Sequence, residues 1–153
     1  MSRNFALVLL AAAALSGCAT SDAGRDARGW FFNAEGGETK LAYGTPQSDD
    51  TPLMLSCSGA TGRVTLSQTA RKPGDGVTLA SGGRRTTFYG EAEADPLGGG
   101  TTVTAEAAVT APVLSAFRDS GRLSIEENGR AAELHATPAE RARIQQFFGA
   151  CAA

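Results

Sequence analysis

The side chains that most often perform metal or nucleophilic chemistry are scarce in this chain. Its 153 residues include one histidine, His135, and three cysteines, Cys18, Cys57 and Cys151. A single histidine excludes metal sites built on a histidine pair, such as His-Glu-x-x-His. The sequence also contains no Gly-x-Ser-x-Gly elbow, no Ser-x-x-Lys pair and no phosphate-cradling glycine loop before a helix. We therefore expect a protein that is not an enzyme and uses no metal and no cofactor.

Acidic residues offer a second kind of chemistry. Glu91 and Glu93 share one face of a predicted strand, and Glu106 lies on the outer face of the next one. Paired carboxylates could act as acid and base or hold a cation, but outward carboxylates on a two-sided sheet are usually solvated. His135 follows Glu133 by two residues near a strand end, and its alternation with apolar neighbours points it outward. We therefore interpret it as a surface histidine.

The segment Ser81-Gly82-Gly83-Arg84-Arg85 is the candidate binding loop. A two-glycine turn is expected to project beyond the sheet, and the two guanidinium groups can offer forked donors to a carboxylate or a phosphate. The alternative is that Arg84 and Arg85 only protect a strand edge against pairing with other strands.

The elements that must position these residues are mainly strands. Turn signals recur about every ten residues, with alternating apolar and polar positions between them, which is typical of an antiparallel sandwich or barrel. Gly82-Gly83 and Asn128-Gly129 predict two tight hairpins, since such pairs accept positive φ. About eight or nine short strands are expected: Trp30–Asn33, Thr39–Tyr43, Leu53–Ser58, Arg63–Thr69, Val77–Ala80, Arg85–Ala94, Thr101–Val109, Arg122–Glu126 and Ala131–Ala136.

Two segments depart from the strand pattern. Residues 112–119 place apolar side chains at helical spacing and end at Gly121, which predicts a short helix. A C-terminal helix near residues 138–148 is predicted from Thr137-Pro138-Ala139-Glu140, in which Thr137 can cap the helix, Pro138 suits its first position and Glu140 can reach back.

The first seventeen residues predict an export signal. Arg3 precedes the apolar run Phe5 to Leu15, whose length of about eleven residues is well short of the twenty or so that span a bilayer. The following Leu15-Ser16-Gly17-Cys18 resembles the lipobox of bacterial lipoproteins. The resemblance implies cleavage before Cys18, a lipid on the Cys18 sulfur and acylation of the new amino group. The alternative is an ordinary signal peptide cleaved shortly after Cys18.

This resemblance also implies a location and a domain organisation. Residue 19 is alanine and not aspartate, which in lipoproteins indicates the periplasmic face of the outer membrane. Residues 1–17 would be the signal peptide, 18–29 a lipidated flexible tether of small and polar residues, and 30–153 a single β-rich domain. The formal net charge of −2 argues against a nucleic-acid partner. The membrane, through the lipid, and an envelope protein remain as partners.

If acylation consumes Cys18, then Cys57 and Cys151 are left as a pair in an oxidising compartment. Strand alternation places Cys57 on the same face as Leu55, and helical spacing places Cys151 with Phe147. Both sulfurs would then face one core, which predicts a disulfide. The alternative is two separate buried thiols.

Two further resemblances concern the domain itself. Residues 79–85, following the cysteine-bearing strand at residues 55–59, look like the membrane-bound inhibitors of c-type lysozyme, small β-barrel lipoproteins that insert a Ser-Gly-x-x-Tyr loop into the lysozyme cleft. Ser81 and Gly82 match this loop, whereas Arg85 stands where tyrosine is expected. Residues 42–49, Ala-Tyr-Gly-Thr-Pro-Gln-Ser-Asp, look like a pattern of uncharacterised exported proteobacterial proteins, which implies no activity.

Together these observations predict a lipid-anchored, mainly β envelope protein that acts as a non-enzymatic binding or structural module. The first alternative is a periplasmic lysozyme inhibitor, and the second is an envelope enzyme.

Overall fold

A computed structural model describes residues 28–71, 74–94, 100–127 and 129–152. Within these ranges nine antiparallel strands form one nearly closed, barrel-like sheet accompanied by two helices. The predicted mainly β fold is therefore confirmed. The predicted signal peptide, the lipobox with Cys18, and the tether up to residue 27 lie outside the described residues.

The strands are short, as expected, and most begin or end within two residues of their predicted bounds. They are β1 (Gly29–Glu35), β2 (Glu38–Gly44), β3 (Leu53–Ser58), β4 (Arg63–Ala70), β5 (Gly76–Ser81), β6 (Arg84–Ala94), β7 (Thr101–Ala108), β8 (Arg122–Glu127) and β9 (Arg130–His135).

Both predicted hairpins are present, since β5 pairs with β6 and β8 pairs with β9. The full order in the sheet is β1-β2-β3-β4-β7-β6-β5-β8-β9, with every described pair antiparallel. Two neighbours are distant in sequence: β4 pairs with β7, and β5 pairs with β8. These two crossovers turn a meander of hairpins into a nearly closed, barrel-like sheet.

Strand β6 changes partner along its length. Residues 84–89 pair with β5, whereas residues 90–94 pair with β7. The change falls at Gly90, where an added Cβ would lie 2.0 Å from the carbonyl oxygen of Thr104. Glycine thus allows the two backbones to approach at the bend, as is usual where a strand turns a barrel corner.

The core lies inside the sheet and follows the predicted alternation. In β3, Leu53, Leu55 and Cys57 are buried, while Met54 and Ser56 are only partly buried. Apolar burial of this kind contributes about 25 cal/mol per Å² of surface removed from water. The sheet therefore has one dry face and one face directed to solvent.

Helix α1 spans Pro112–Ser120 and helix α2 spans Pro138–Cys151. Both were predicted, but α2 continues three residues beyond the expected end at 148 because its last residue, Cys151, is itself buried in the core. The helices contribute aromatic rings to one cluster. The ring centroid of Phe117 lies 4.8 Å from that of Trp30 in β1 and 6.0 Å from that of Phe148. α2 also contacts β1 and β2 and lies against α1.

A disulfide joins Cys57, in β3, to Cys151, the last residue of α2, with 5.8 Å between the two Cα atoms. The predicted bridge is thus present in the structure. The carbonyl of Cys151 also accepts a hydrogen bond from the Gly62 N–H at 3.0 Å. The C-terminal end of α2 is therefore held to the sheet by one covalent bond and one hydrogen bond.

Candidate functional site

The predicted binding loop is the turn between β5 and β6. Gly82 and Gly83 have φ of 56° and 73°, the left-handed values that a two-residue hairpin turn requires and glycine adopts readily. An added Cβ on Gly82 would lie 2.9 Å from the Cβ of Ala116 in α1. Both glycines are exposed, as predicted for this turn, and Gly82 lies close to α1.

Ser81, the first residue of the candidate loop, is 6% exposed. Its hydroxyl donates a 2.7 Å hydrogen bond to the carbonyl of Arg122 in β8. Only two residue pairs define the register of β5 with β8, Leu79 with Ile125 and Ala80 with Ser124. Ser81 thus extends this short ladder with its side chain, and it does not offer a free contact to a ligand.

Arg84 and Arg85 are both exposed, as predicted. The guanidinium of Arg85 forms an ion pair with the carboxylate of Glu126. An exposed pair of this kind contributes at most about 1 kcal/mol to stability. Within the described part of the chain, the Arg84 guanidinium has no ion-pair partner.

These arginines border a groove of about 410 Å³ that we call the arginine groove. It lies on the outer face of the sheet, between the β5–β6 turn and the strands β8 and β9. Its lining comprises Ala80, Ser81, Gly82, Gly83, Arg84, Arg85, Arg122, Leu123, Ser124 and Glu133. Three guanidinium groups thus border the groove against one carboxylate.

The strand register explains the shape of the groove. Arg85, Ala80, Ser124 and Glu133 occupy one row across β6, β5, β8 and β9, and side chains in such a row share a face. The small side chain of Ala80 leaves a depression between the longer side chains on either side. The Ser124 hydroxyl donates a 2.6 Å hydrogen bond to Glu133, which orients that carboxylate at the far end of the row.

Arg122 is the one arginine of the groove that was not predicted from the sequence. It stands 37 positions after Arg85, at the start of β8. The sequence predicts the pairing of β8 with β9 but not its pairing with β5. The pairing of β5 with β8 brings it beside the turn. An outward-facing arginine at a strand end is common, and only the strand order distinguishes this one.

The other predicted chemical residues are spread over the surface. Glu91, Glu93 and Glu106 are exposed, and Glu106 forms an ion pair with Arg63 across β4 and β7. His135 is exposed at the end of β9, so its predicted surface position is confirmed. The described ranges contain no group of three or more histidine, cysteine or acidic side chains arranged to hold a metal ion.

The pKa of the Asp50 carboxyl group is shifted by its hydrogen-bond partners. Arg28 binds Asp50 through two hydrogen bonds, of 2.8 and 2.9 Å, and the Thr45 hydroxyl donates a third at 2.9 Å. The hydrogen bond from Arg28, followed by that from Thr45, holds the pKa of Asp50 below its ordinary value. This pair joins the chain just before β1 to the loop between β2 and β3.

No protein-family model matches the chain, and no curated protein or solved structure shows significant similarity to it. Neither helix in the described residues has the length and apolar character needed to cross a membrane.

Proposed function

We propose that the chain is a non-enzymatic binding protein of the bacterial cell envelope and that the arginine groove holds an anionic group of its ligand. The observation that carries this proposal is the meeting of Arg84, Arg85 and Arg122 around one groove that has a single lining carboxylate. A guanidinium group presents a planar fork of donors that matches a carboxylate or a phosphate.

The arrangement of partners supports an anion more than a cation. Glu133 already accepts a hydrogen bond from Ser124, and Glu126 pairs with Arg85. Arg84 and Arg122 form no ion pair with any residue that the structure describes, so their donors are available. An entering anion can bind either arginine without displacing a protein partner.

Titration of the purified mature protein with inorganic phosphate and with galacturonate, followed by NMR chemical shifts, tests this proposal. Shifts should cluster at the β5–β6 turn and at the start of β8. The double variant Arg84→Ala with Arg85→Ala should weaken binding by at least about 1 kcal/mol, because charge-assisted hydrogen bonds are lost.

The matched control is Arg118→Ala, which removes an exposed arginine that pairs with Asp119 and lies outside the groove. It should leave the affinity unchanged. Wild-type affinity in a folded Arg84/Arg85 double variant would remove the groove from consideration and would favour protection of a strand edge as the role of these arginines.

Attachment to the membrane is the second part of the proposal. It rests on Leu15-Ser16-Gly17-Cys18, with Ala19 favouring the periplasmic face of the outer membrane. Each buried methylene of an acyl chain contributes about 0.8 kcal/mol to membrane binding, so two or more chains give a stable anchor. Labelled fatty acid should be incorporated, and Cys18→Ser should move the protein to a soluble fraction. Membrane retention of the variant without label would contradict the anchor.

A lysozyme inhibitor is the alternative binding function, and it would use Ser81 and Gly82. The hydroxyl of Ser81 is bonded to Arg122, and Gly82 rests on α1, so neither residue favours insertion into a cleft. A turbidity assay of c-type lysozyme with the mature protein separates the two functions, because only the alternative expects inhibition.

A further inference from the structure

A second cavity adjoins the arginine groove at the same end of the barrel. Its volume is about 300 Å³, and it is lined by Ser120, Arg122, His135, Ala136 and Arg141. Because Arg122 lines both cavities, the two are neighbours on one surface. The lining residues come from the end of α1, the start of β8, the end of β9 and the first turns of α2.

The fold holds these side chains in place. Arg122 and His135 are directly paired across β8 and β9, and the Ala136 N–H donates to the carbonyl of Gly121 at 2.9 Å. The stem of Arg141 crosses over Gly121, where an added Cβ would lie 2.6 Å from its Cγ. The absence of a side chain at residue 121 therefore makes room for the arginine from α2.

The positive charge of the second cavity is not balanced by any acidic side chain in its lining. Its lining contains two arginines and a histidine but no carboxylate. Among the described residues, the side chains of Arg122, His135 and Arg141 form no ion pair or hydrogen bond. The acids next to these residues in the chain have other partners. Asp119 pairs with Arg118, Glu133 is bonded to Ser124, and Glu140 is bonded to Thr137 and Trp30.

The distance from the β6 end of the arginine groove to Arg122, where the second cavity begins, defines the ligand that both cavities could hold. Arg85 on β6 and Arg122 on β8 are two strand spacings apart, which is about 10 Å, and His135 is one strand further. A single phosphate or carboxylate bound at Arg85 therefore does not reach the second cavity. A ligand with acidic groups at both ends of this span would bind more tightly, because its second contact becomes intramolecular.

We infer that the second cavity is a further anion subsite and that the natural ligand is an oligoanion with at least two phosphate or carboxylate groups about 10 Å apart. This inference rests on the proposed function of the arginine groove and extends it. Arg122 is the residue common to the two subsites, and Arg141 belongs to the second subsite alone.

Affinity as a function of chain length tests the inference on the mature protein. One arm compares inorganic phosphate with a linear oligophosphate long enough to span about 10 Å. The other arm compares galacturonate with its oligomers. In at least one of the two arms, the wild-type protein should bind the oligomer at least about tenfold more tightly than the single anion. The arm with the larger preference identifies the acidic group.

The variant Arg141→Gln should abolish this preference, while the affinity of the arginine groove for the single anion, followed by NMR shifts at the β5–β6 turn, should stay at the wild-type value. Arg84→Ala with Arg85→Ala should weaken the binding of both lengths. Arg118→Gln is the matched control, since it removes the same charge outside both cavities, and it should behave as wild type. If thermal melting shows that Arg141→Gln is unfolded, His135→Gln replaces it, because that side chain is exposed.

The outcomes separate the two proposals. Groove binding without a chain-length preference, or a preference that survives Arg141→Gln, overturns the second subsite and leaves the proposed function intact. A wild-type protein that binds none of the four anion types contradicts the proposed function as well.

Discussion

The carboxylate of Glu140, in the first turn of α2, accepts a 3.0 Å hydrogen bond from the backbone N–H of Trp30 in β1, 110 positions earlier in the chain. Its second oxygen accepts the N–H of Thr137 at 2.7 Å, which completes a capping box. Arg143, one turn further, donates to the Trp30 carbonyl at 3.1 Å. Two side chains of α2 thus satisfy backbone groups on the open edge of β1, where no strand is paired.

Glu140→Ala should lower the free energy of unfolding by about 1–3 kcal/mol, because it removes one of the two hydrogen bonds of the capping box and leaves the Trp30 N–H without a partner. Urea denaturation measures this loss. Glu91→Ala is the control, since it removes an exposed carboxylate from β6 and should change stability by less than about 0.5 kcal/mol. Equal stability of the two variants would mean that α2 does not hold the edge of β1.

Reduction of the Cys57–Cys151 bridge should destabilise the domain by roughly 2–5 kcal/mol. The bridge closes a sequence separation of 94 residues, and closing so long a loop restricts the unfolded chain strongly. The double variant Cys57→Ser with Cys151→Ser should show the same loss in urea. Mass spectrometry of non-reduced peptides from the exported protein should detect the linked pair, and two alkylatable thiols would contradict it.

Ser81→Ala should lower stability by about 1–2 kcal/mol without changing ligand affinity. The hydroxyl is buried, and its loss leaves the Arg122 carbonyl without the donor that Ser81 supplies. Denaturation and anion titration of the same variant measure the two effects. Weaker anion binding with unchanged stability would instead make Ser81 a contact residue, as a loop inserted into an enzyme cleft requires.

Asp50→Asn should cost less than about 1 kcal/mol at pH 7, because the pair with Arg28 is largely exposed. The pKa of Asp50 is lowered in the folded state, so its contribution is present above the unfolded carboxyl pKa and is lost as the pH falls through the folded value. The difference between wild type and variant should therefore shrink below about pH 4. Urea midpoints across this range measure it, and a difference that grows on acidification would reverse the assignment.

Local signals in the sequence determined most of the secondary structure. Gly82-Gly83 marks the β5–β6 hairpin because glycine tolerates the positive φ that the turn demands. Thr137-Pro138-Ala139-Glu140 marks the start of α2 because capping involves atoms only three residues apart. The burial of Cys57 and Cys151 follows from periods of 2 and 3.6, which are also local properties.

The tertiary structure determined which strands and side chains are neighbours in space. The pairing of β5 with β8 joins segments about 45 residues apart, and nothing in either strand specifies its neighbour, because alternating apolar residues suit any antiparallel partner. That pairing brings Arg122 to the turn with Arg84, and the docking of α2 brings Arg141 over Gly121 and Glu140 to Trp30. Contacts of this kind depend on how the whole sheet closes, since it is the closure that removes the core from water.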